Sequence, residues 1–138
     1  MANLFAYGTL MCDDIMESVA GCMPNKNAAA LYGYRRLEVK REQYPGLVAG
    51  GKENVAGVLY YDVPVESWKR LDSFEGEMYS RLEVTVELED GSTREAYTYI
   101  VKKEYENRLE CRSWSLERFL EKGKDAFETN YTGYEEIR

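Results

Sequence analysis

Glu75 occupies a position where a helix would bury an apolar side chain. In and before the stretch LDSFEGEMYSR (residues 71–81), Trp68, Leu71 and Glu75 follow the helical spacing i, i+3 and i+7, so one face carries two hydrophobes and a carboxylate. An inward carboxylate is costly unless something satisfies it or uses it. Burial also raises its pKa toward neutrality, the range in which one carboxyl can both take and give a proton. Two roles are therefore open to Glu75: proton shuttle, or helix-end carboxylate bonded to nearby backbone donors. Asp72, one turn earlier, is placed to hold a supporting bond or to face solvent, and Glu77, past Gly76, is expected at the surface.

A second candidate is Phe5-Ala6-Tyr7-Gly8-Thr9-Leu10, an apolar strand running into a turn. Backbone N–H groups of Gly8, Thr9 and Leu10 can bind a carboxylate or a developing oxyanion, and Gly8 permits close approach. Tyr7 reads first as core packing that anchors this loop. Tyr79 and Arg81 are placed to close one wall of a cavity, although the start of a strand would explain them equally. Tyr97 and Tyr99 share a strand face, as pocket lining or as barrel filling. The cysteines read first as buried small hydrophobes; Cys12 is the one to watch, because it follows the loop at a helix start, where thiolates are stabilised. Gly50-Gly51 lacks the Lys-Ser/Thr context of a phosphate loop.

The chain contains no histidine. That excludes Ser-His-Asp and Cys-His hydrolytic machinery, histidine-ligated metal sites and histidine general bases. Acid–base chemistry must fall to carboxylates, tyrosines, lysines or cysteines with shifted pKa values. The 138 residues suit a single domain spanning residues 1–138, with 44% apolar residues to build a core. A net charge of −7, with no basic run longer than Arg35-Arg36, argues against nucleic acid or an anionic membrane as partner. Three cysteines without a CxxC pair are expected to be reduced thiols, as in a cytoplasmic protein. The N-terminal residues lack the basic segment of a signal peptide, and no run approaches the roughly 18 apolar residues of a membrane helix. Without a long apolar surface stripe, a monomer is expected.

Positioning these residues requires a strand at Asn3–Tyr7, then a short helix capped by Asp13 or Asp14 and ended by Gly21. Strands follow near 29–40, with a bend at Gly33, and over Val55–Tyr61. Between them, Tyr44-Pro45-Gly46-Leu47 is expected to break regular structure and Gly50-Gly51 to turn the chain. Pro64 opens a helix over Val65–Glu75 that Gly76 ends. Asp90-Gly91 joins alternating segments into a hairpin, and a last helix is expected over Ser115–Phe127, with Leu116, Phe119, Leu120 and Phe127 on one side. The order β-α-β-β-α-β-β-α implies an α+β fold: a small, mixed, mainly antiparallel β-barrel with peripheral helices.

"YGTL" near the N-terminus, Tyr44-Pro45-Gly46-Leu47, "VAGVLYYDV" and "LDSFEG" followed by Met78-Tyr79-Ser80-Arg81 together resemble the γ-glutamylcyclotransferase-like superfamily. Within it, the AIG2-like and γ-glutamylamine cyclotransferase branch is the most similar. The resemblance runs from Asn3 to about Val101; from Lys102 onward nothing specific matches. It implies a mixed barrel whose first strand delivers the YGTL loop (Tyr7, Gly8, Thr9, Leu10) to a cavity mouth, where its amides hold the α-amino acid end of a small γ-glutamyl substrate. It implies Glu75 as the acid–base residue, Tyr79 at the substrate, and no metal or cofactor. The implied reaction is intramolecular: the substrate's α-amine attacks its own γ-carbonyl, releasing 5-oxoproline and an amine or amino acid. A non-catalytic binding module on the same fold, or another acyl-amine transformation, is also compatible with these residues.

Overall fold

In the computed structural model, which describes residues 2–137, five strands close into a mixed barrel. They are β1 (Ala2–Ala6), β2 (Lys26–Val39), β3 (Pro45–Val63), β4 (Tyr79–Leu88) and β5 (Thr93–Val101). Strand β1 runs antiparallel to β3 and parallel to β5; β5 pairs with β4, β4 with β2, and β2 returns to β3. A sixth strand, β6 (Leu109–Ser113), extends the sheet on β2 outside the closed ring. The helices lie against this barrel: α1 (Asp13–Ala20), α2 (Val65–Glu75), α3 (Leu116–Arg118), α4 (Lys124–Asn130) and α5 (Gly133–Glu136).

The period of two along β1 divides the core. Phe5, and Tyr7 just past the end of β1, join Leu31, Leu47, Leu59 and Val86 of the other strands in one cluster, the barrel interior. Leu4 and Ala6 face the other way, against Ile15, Met16 and Val19 of α1 and Trp68, Leu71 and Phe74 of α2. The first strand is therefore apolar on both faces because both are covered.

Gly33 does interrupt β2: it has φ +87°, and the register jumps from Tyr32 opposite Asn54 to Tyr34 opposite Ala49. The expected turn at Gly50-Gly51 is instead the other side of this irregularity, looped out within a continuous β3 with φ values of 122° and 87°. Nor do Pro45, Gly46 and Leu47 break the structure. They open β3, where a first-position proline forfeits no ladder bond that matters. The Asp90-Gly91 hairpin forms as the sequence predicts, with Gly91 at φ +87°. Cys12, rather than Asp13 or Asp14, occupies the N-cap of α1, and both aspartates sit in its first turn, complementing the helix dipole.

The last helix also departs from expectation. Ser115 caps α3 by accepting from the Arg118 N–H, but a π-helical turn over Phe119–Gly123 breaks the 3.6-residue phase before α4. Phe119 and Phe127 are buried while Leu120 is 53% exposed, so the four residues expected on one side are split.

Gly57 of β3 is packed so closely on β1 that a Cβ would collide with the Ala6 carbonyl and lie 2.7 Å from the Phe5 ring. Gly57→Ala is expected to destabilise the protein by about 1–3 kcal/mol, from overpacking, in urea titrations. A loss below about 0.5 kcal/mol would show that the strands can separate freely there.

Candidate active site

Where β1 ends, the chain enters Tyr7-Gly8-Thr9-Leu10, and the loop is tied down through its carbonyls. The Arg36 guanidinium donates to Tyr7 O at 2.9 Å, and the Tyr60 hydroxyl donates to Leu10 O at 2.7 Å. The N–H groups of Met11 and Cys12 donate to Gly8 O and Thr9 O, closing a tight turn. The Tyr7 hydroxyl, buried, donates to the Tyr99 carbonyl at 2.6 Å. Among the described residues, no protein acceptor takes the N–H of Gly8, Thr9 or Leu10. Consecutive unpaired amides of this kind are suited to an anionic oxygen.

Glu75 reaches the same cavity from the opposite side, as the last residue of α2. The residue keeps some solvent contact, yet burial of its carboxyl, reinforced by the Asp72 charge one turn earlier, pushes its pKa up to about 8. No hydrogen bond reaches that carboxyl among the described residues, so the role of a helix-end carboxylate satisfied by backbone donors does not describe it. Asp72 itself accepts from the Tyr99 hydroxyl at 2.7 Å and lies 3.4 Å from Arg81 Nε. Asp72 thus holds a bond while staying exposed to solvent, and Glu77 is at the surface.

Tyr7, Gly8, Thr9, Leu10, Glu75 and Tyr79 line one narrow cavity of about 30 Å³. That is room for about two water-sized groups. Arg81 and Tyr97, also placed by the sequence as possible lining, do not line it: Arg81 sits over the Trp68 and Tyr97 rings. The Tyr79 hydroxyl donates to Pro45 O at 2.6 Å, so it fixes the start of β3 against β4. Tyr99 also lines the cavity and does more than fill the barrel. Sequence reasoning missed Tyr44, Pro45, Phe74, Phe127 and Tyr131. Tyr131, at the end of α4, donates to the carbonyls of Phe74 and Glu75 at 2.7 and 3.1 Å and so caps the last turn of α2. Its spacing of i, i+4 from Phe127 was the one available signal. Burial holds the hydroxyls of Tyr7, Tyr79, Tyr99 and Tyr131 above their ordinary pKa, so these walls are neutral near pH 7.

A wider groove of about 680 Å³ shares Tyr44, Phe74, Glu75 and Tyr131 with the inner cavity. Glu75 thus stands at the junction of a small, largely aromatic recess and an open cleft. Cys12 is elsewhere: its thiol is buried and pushed up by burial, so it is a small hydrophobe of the core and not the stabilised thiolate that a helix start could have made it. The three cysteines are free thiols. No group of three or more acidic or cysteine side chains among the described residues is arranged to hold a metal ion, and no helix there is long and apolar enough to cross a membrane.

Comparison with known proteins identifies the family and the fold. The family described as γ-glutamyl cyclotransferase, AIG2-like, matches residues 4–116. AIG2-like protein D of Arabidopsis thaliana is 27% identical over 129 residues, covering 92% of this chain and 84% of its own. A solution structure of an Arabidopsis thaliana protein superposes with a TM-score of 0.71 at 27% identity, covering 93% of this chain and 87% of that one. A mouse AIG2-like protein, at 22% identity, shares the fold with a TM-score of 0.65 over 83% of this chain and 88% of its own. The matched segment contains both the YGTL loop and the Glu75 helix, and the chain belongs to the AIG2-like γ-glutamyl cyclotransferase family.

Proposed function

We propose that this protein is a γ-glutamyl cyclotransferase that converts a γ-glutamyl amine or γ-glutamyl amino acid to 5-oxoproline and the free amine. One observation carries the reading: a carboxyl without hydrogen-bond partners, with its pKa pushed up to about 8, shares a small cavity with three unpaired backbone amides.

The chemistry follows from that pairing. The amides of Gly8, Thr9 and Leu10 receive the anionic end of the glutamyl group or the oxyanion formed from its γ-carbonyl. Ionised Glu75 takes a proton from the substrate's α-ammonium, and the freed amine adds to the γ-carbonyl carbon, closing a five-membered ring. Protonated Glu75 gives its proton to the leaving nitrogen as the C–N bond breaks. The re-ionised carboxyl then takes the second proton from the ring nitrogen and passes it to the released amine, which departs as an ammonium. Charge and atoms balance, and the carboxyl ends ionised as it began. Because the nucleophile belongs to the substrate, no enzyme serine, cysteine or histidine is needed. The leaving amine would depart through the open groove on the far side of Glu75.

The test is release of 5-oxoproline from γ-glutamyl-alanine, ε-(γ-glutamyl)-lysine, a γ-glutamyl alkylamine and glutathione. Wild-type protein is expected to turn over at least one of them, and the best substrate identifies the leaving group. Silence across all four by a folded protein would overturn the reading in favour of a binding module.

A further inference from the structure

Tyr99 touches both halves of the site by different atoms. Its main-chain carbonyl accepts from the Tyr7 hydroxyl at 2.6 Å, anchoring the YGTL loop to β5. Its own hydroxyl donates to Asp72 Oδ1 at 2.7 Å, anchoring the last turns of α2. Asp72 and Glu75 are three residues apart on that helix, so their side chains are neighbours. The remaining partner of Asp72 is Arg81, whose guanidinium sits 4.8 Å from the Trp68 ring centroid and 5.1 Å from that of Tyr97. Resting on the reading of Glu75 as the acid–base group, we propose that Tyr99 is a positioning residue: it holds Asp72 beside Glu75 and keeps that carboxyl at a fixed separation from the loop amides.

The surroundings leave few other groups able to do this. Tyr7 from the β1 loop, Tyr44 before β3, Tyr79 from β4 and Tyr131 just past α4 face Glu75 as neutral hydroxyls. Asp72 is the charged neighbour that acts on the Glu75 carboxyl, and Arg81 acts through Asp72. Without the Tyr99 hydroxyl, Arg81 is the partner that remains, and Asp72 is drawn toward it and away from Glu75. Both the position of the last helical turn and the charge felt by Glu75 then change.

Five proteins test this: wild type, Tyr99→Phe, Asp72→Ala, Asp72→Asn and the Tyr99→Phe/Asp72→Ala double variant, each checked for folding by thermal melting. Two readouts are taken. The Glu75 carboxyl is titrated by carbon NMR without substrate, with Glu75→Gln used to assign its signal. Then kcat and KM are measured on the best γ-glutamyl substrate across pH. Tyr99→Phe is expected to lower the Glu75 titration midpoint and to reduce kcat about 10-fold with little change in KM, the signature of a displaced reacting group. In the Asp72→Ala background the same change should add nothing, because the acceptor is already gone. Asp72→Asn, which keeps an acceptor for Tyr99 and removes the charge, should lower the midpoint while retaining most of kcat.

An unchanged Glu75 midpoint in Tyr99→Phe, or additive losses in the double variant, would overturn the proposal. Equal kcat losses in Asp72→Asn and Asp72→Ala would do the same, by showing that only the charge matters. The titration needs no turnover, so a wild type inactive on every substrate would refute the cyclotransferase reading while the NMR arm still decides whether Tyr99 acts on Glu75.

Discussion

Glu75→Gln should lose 5-oxoproline release by a factor of about 10² to 10⁴ while the barrel stays folded. The substitution is isosteric and breaks no hydrogen bond to the carboxyl, because none is made among the described residues. An amide cannot accept the α-ammonium proton or return one to the leaving amine. The expected loss corresponds to about 3–5 kcal/mol of barrier and should fall on kcat, since binding is assigned to the loop amides. Full activity in the variant would remove Glu75 from the mechanism.

The same variant carries a stability signature whose sign is fixed by linkage. The folded-state pKa of Glu75, about 8, lies above its unfolded value of 4.5, so the folded protein binds more protons than the unfolded one between those limits. The favourable contribution of the neutral carboxyl is complete below pH 4.5 and is lost as pH rises through about 8. Glu75→Gln removes this dependence. Urea titrations should find the two proteins similar at low pH and the variant the more stable above pH 8, with the gap opening between. Parallel curves across that range would contradict an enclosed, unpaired carboxyl.

The parts of the site legible in the sequence are those set by local periodicity. Helical phase placed Glu75 with Trp68 and Leu71, and the structure buries those two hydrophobes with the carboxyl at the edge of their face. The Asp90-Gly91 hairpin and the strand leading into YGTL were equally local signals. What stayed hidden depends on contacts distant in sequence. Tyr131 reaches carbonyls 57 and 56 residues away, and Tyr99 reaches an aspartate 27 residues away. Gly50-Gly51 misled because positive φ serves a bulge within a strand as well as a turn between strands. The π-helical turn at 119–123 defeated a 3.6-residue count, and with it the grouping that placed Leu120 inside.

The largest stability effect is expected at the residue beside the carboxyl. Phe74 is 1% exposed, and edge-to-face contacts join it to Tyr131, Tyr134 and Phe127, with ring centroids 4.9, 5.1 and 6.1 Å away. Phe74→Ala should cost about 3–5 kcal/mol, the range for a large aromatic removed from a packed core. Against a typical total of about 5–15 kcal/mol the variant should still fold at room temperature. The loss should not be purely structural. Phe74 lines both the inner cavity and the outer groove, so its removal opens a path for water to the Glu75 carboxyl. Since burial is the main cause of the raised Glu75 pKa, its titration midpoint should fall toward the ordinary carboxylate range and the acid limb of the rate profile should follow. Leu59→Ala is the control: Leu59 is fully buried inside the barrel and does not line the cavity, so it should cost about 2–5 kcal/mol and leave the midpoint in place. A midpoint that moves equally in both variants would mean that general loosening sets the Glu75 pKa. One that moves only in Phe74→Ala ties it to the aromatic wall that the C-terminal segment builds against the end of α2.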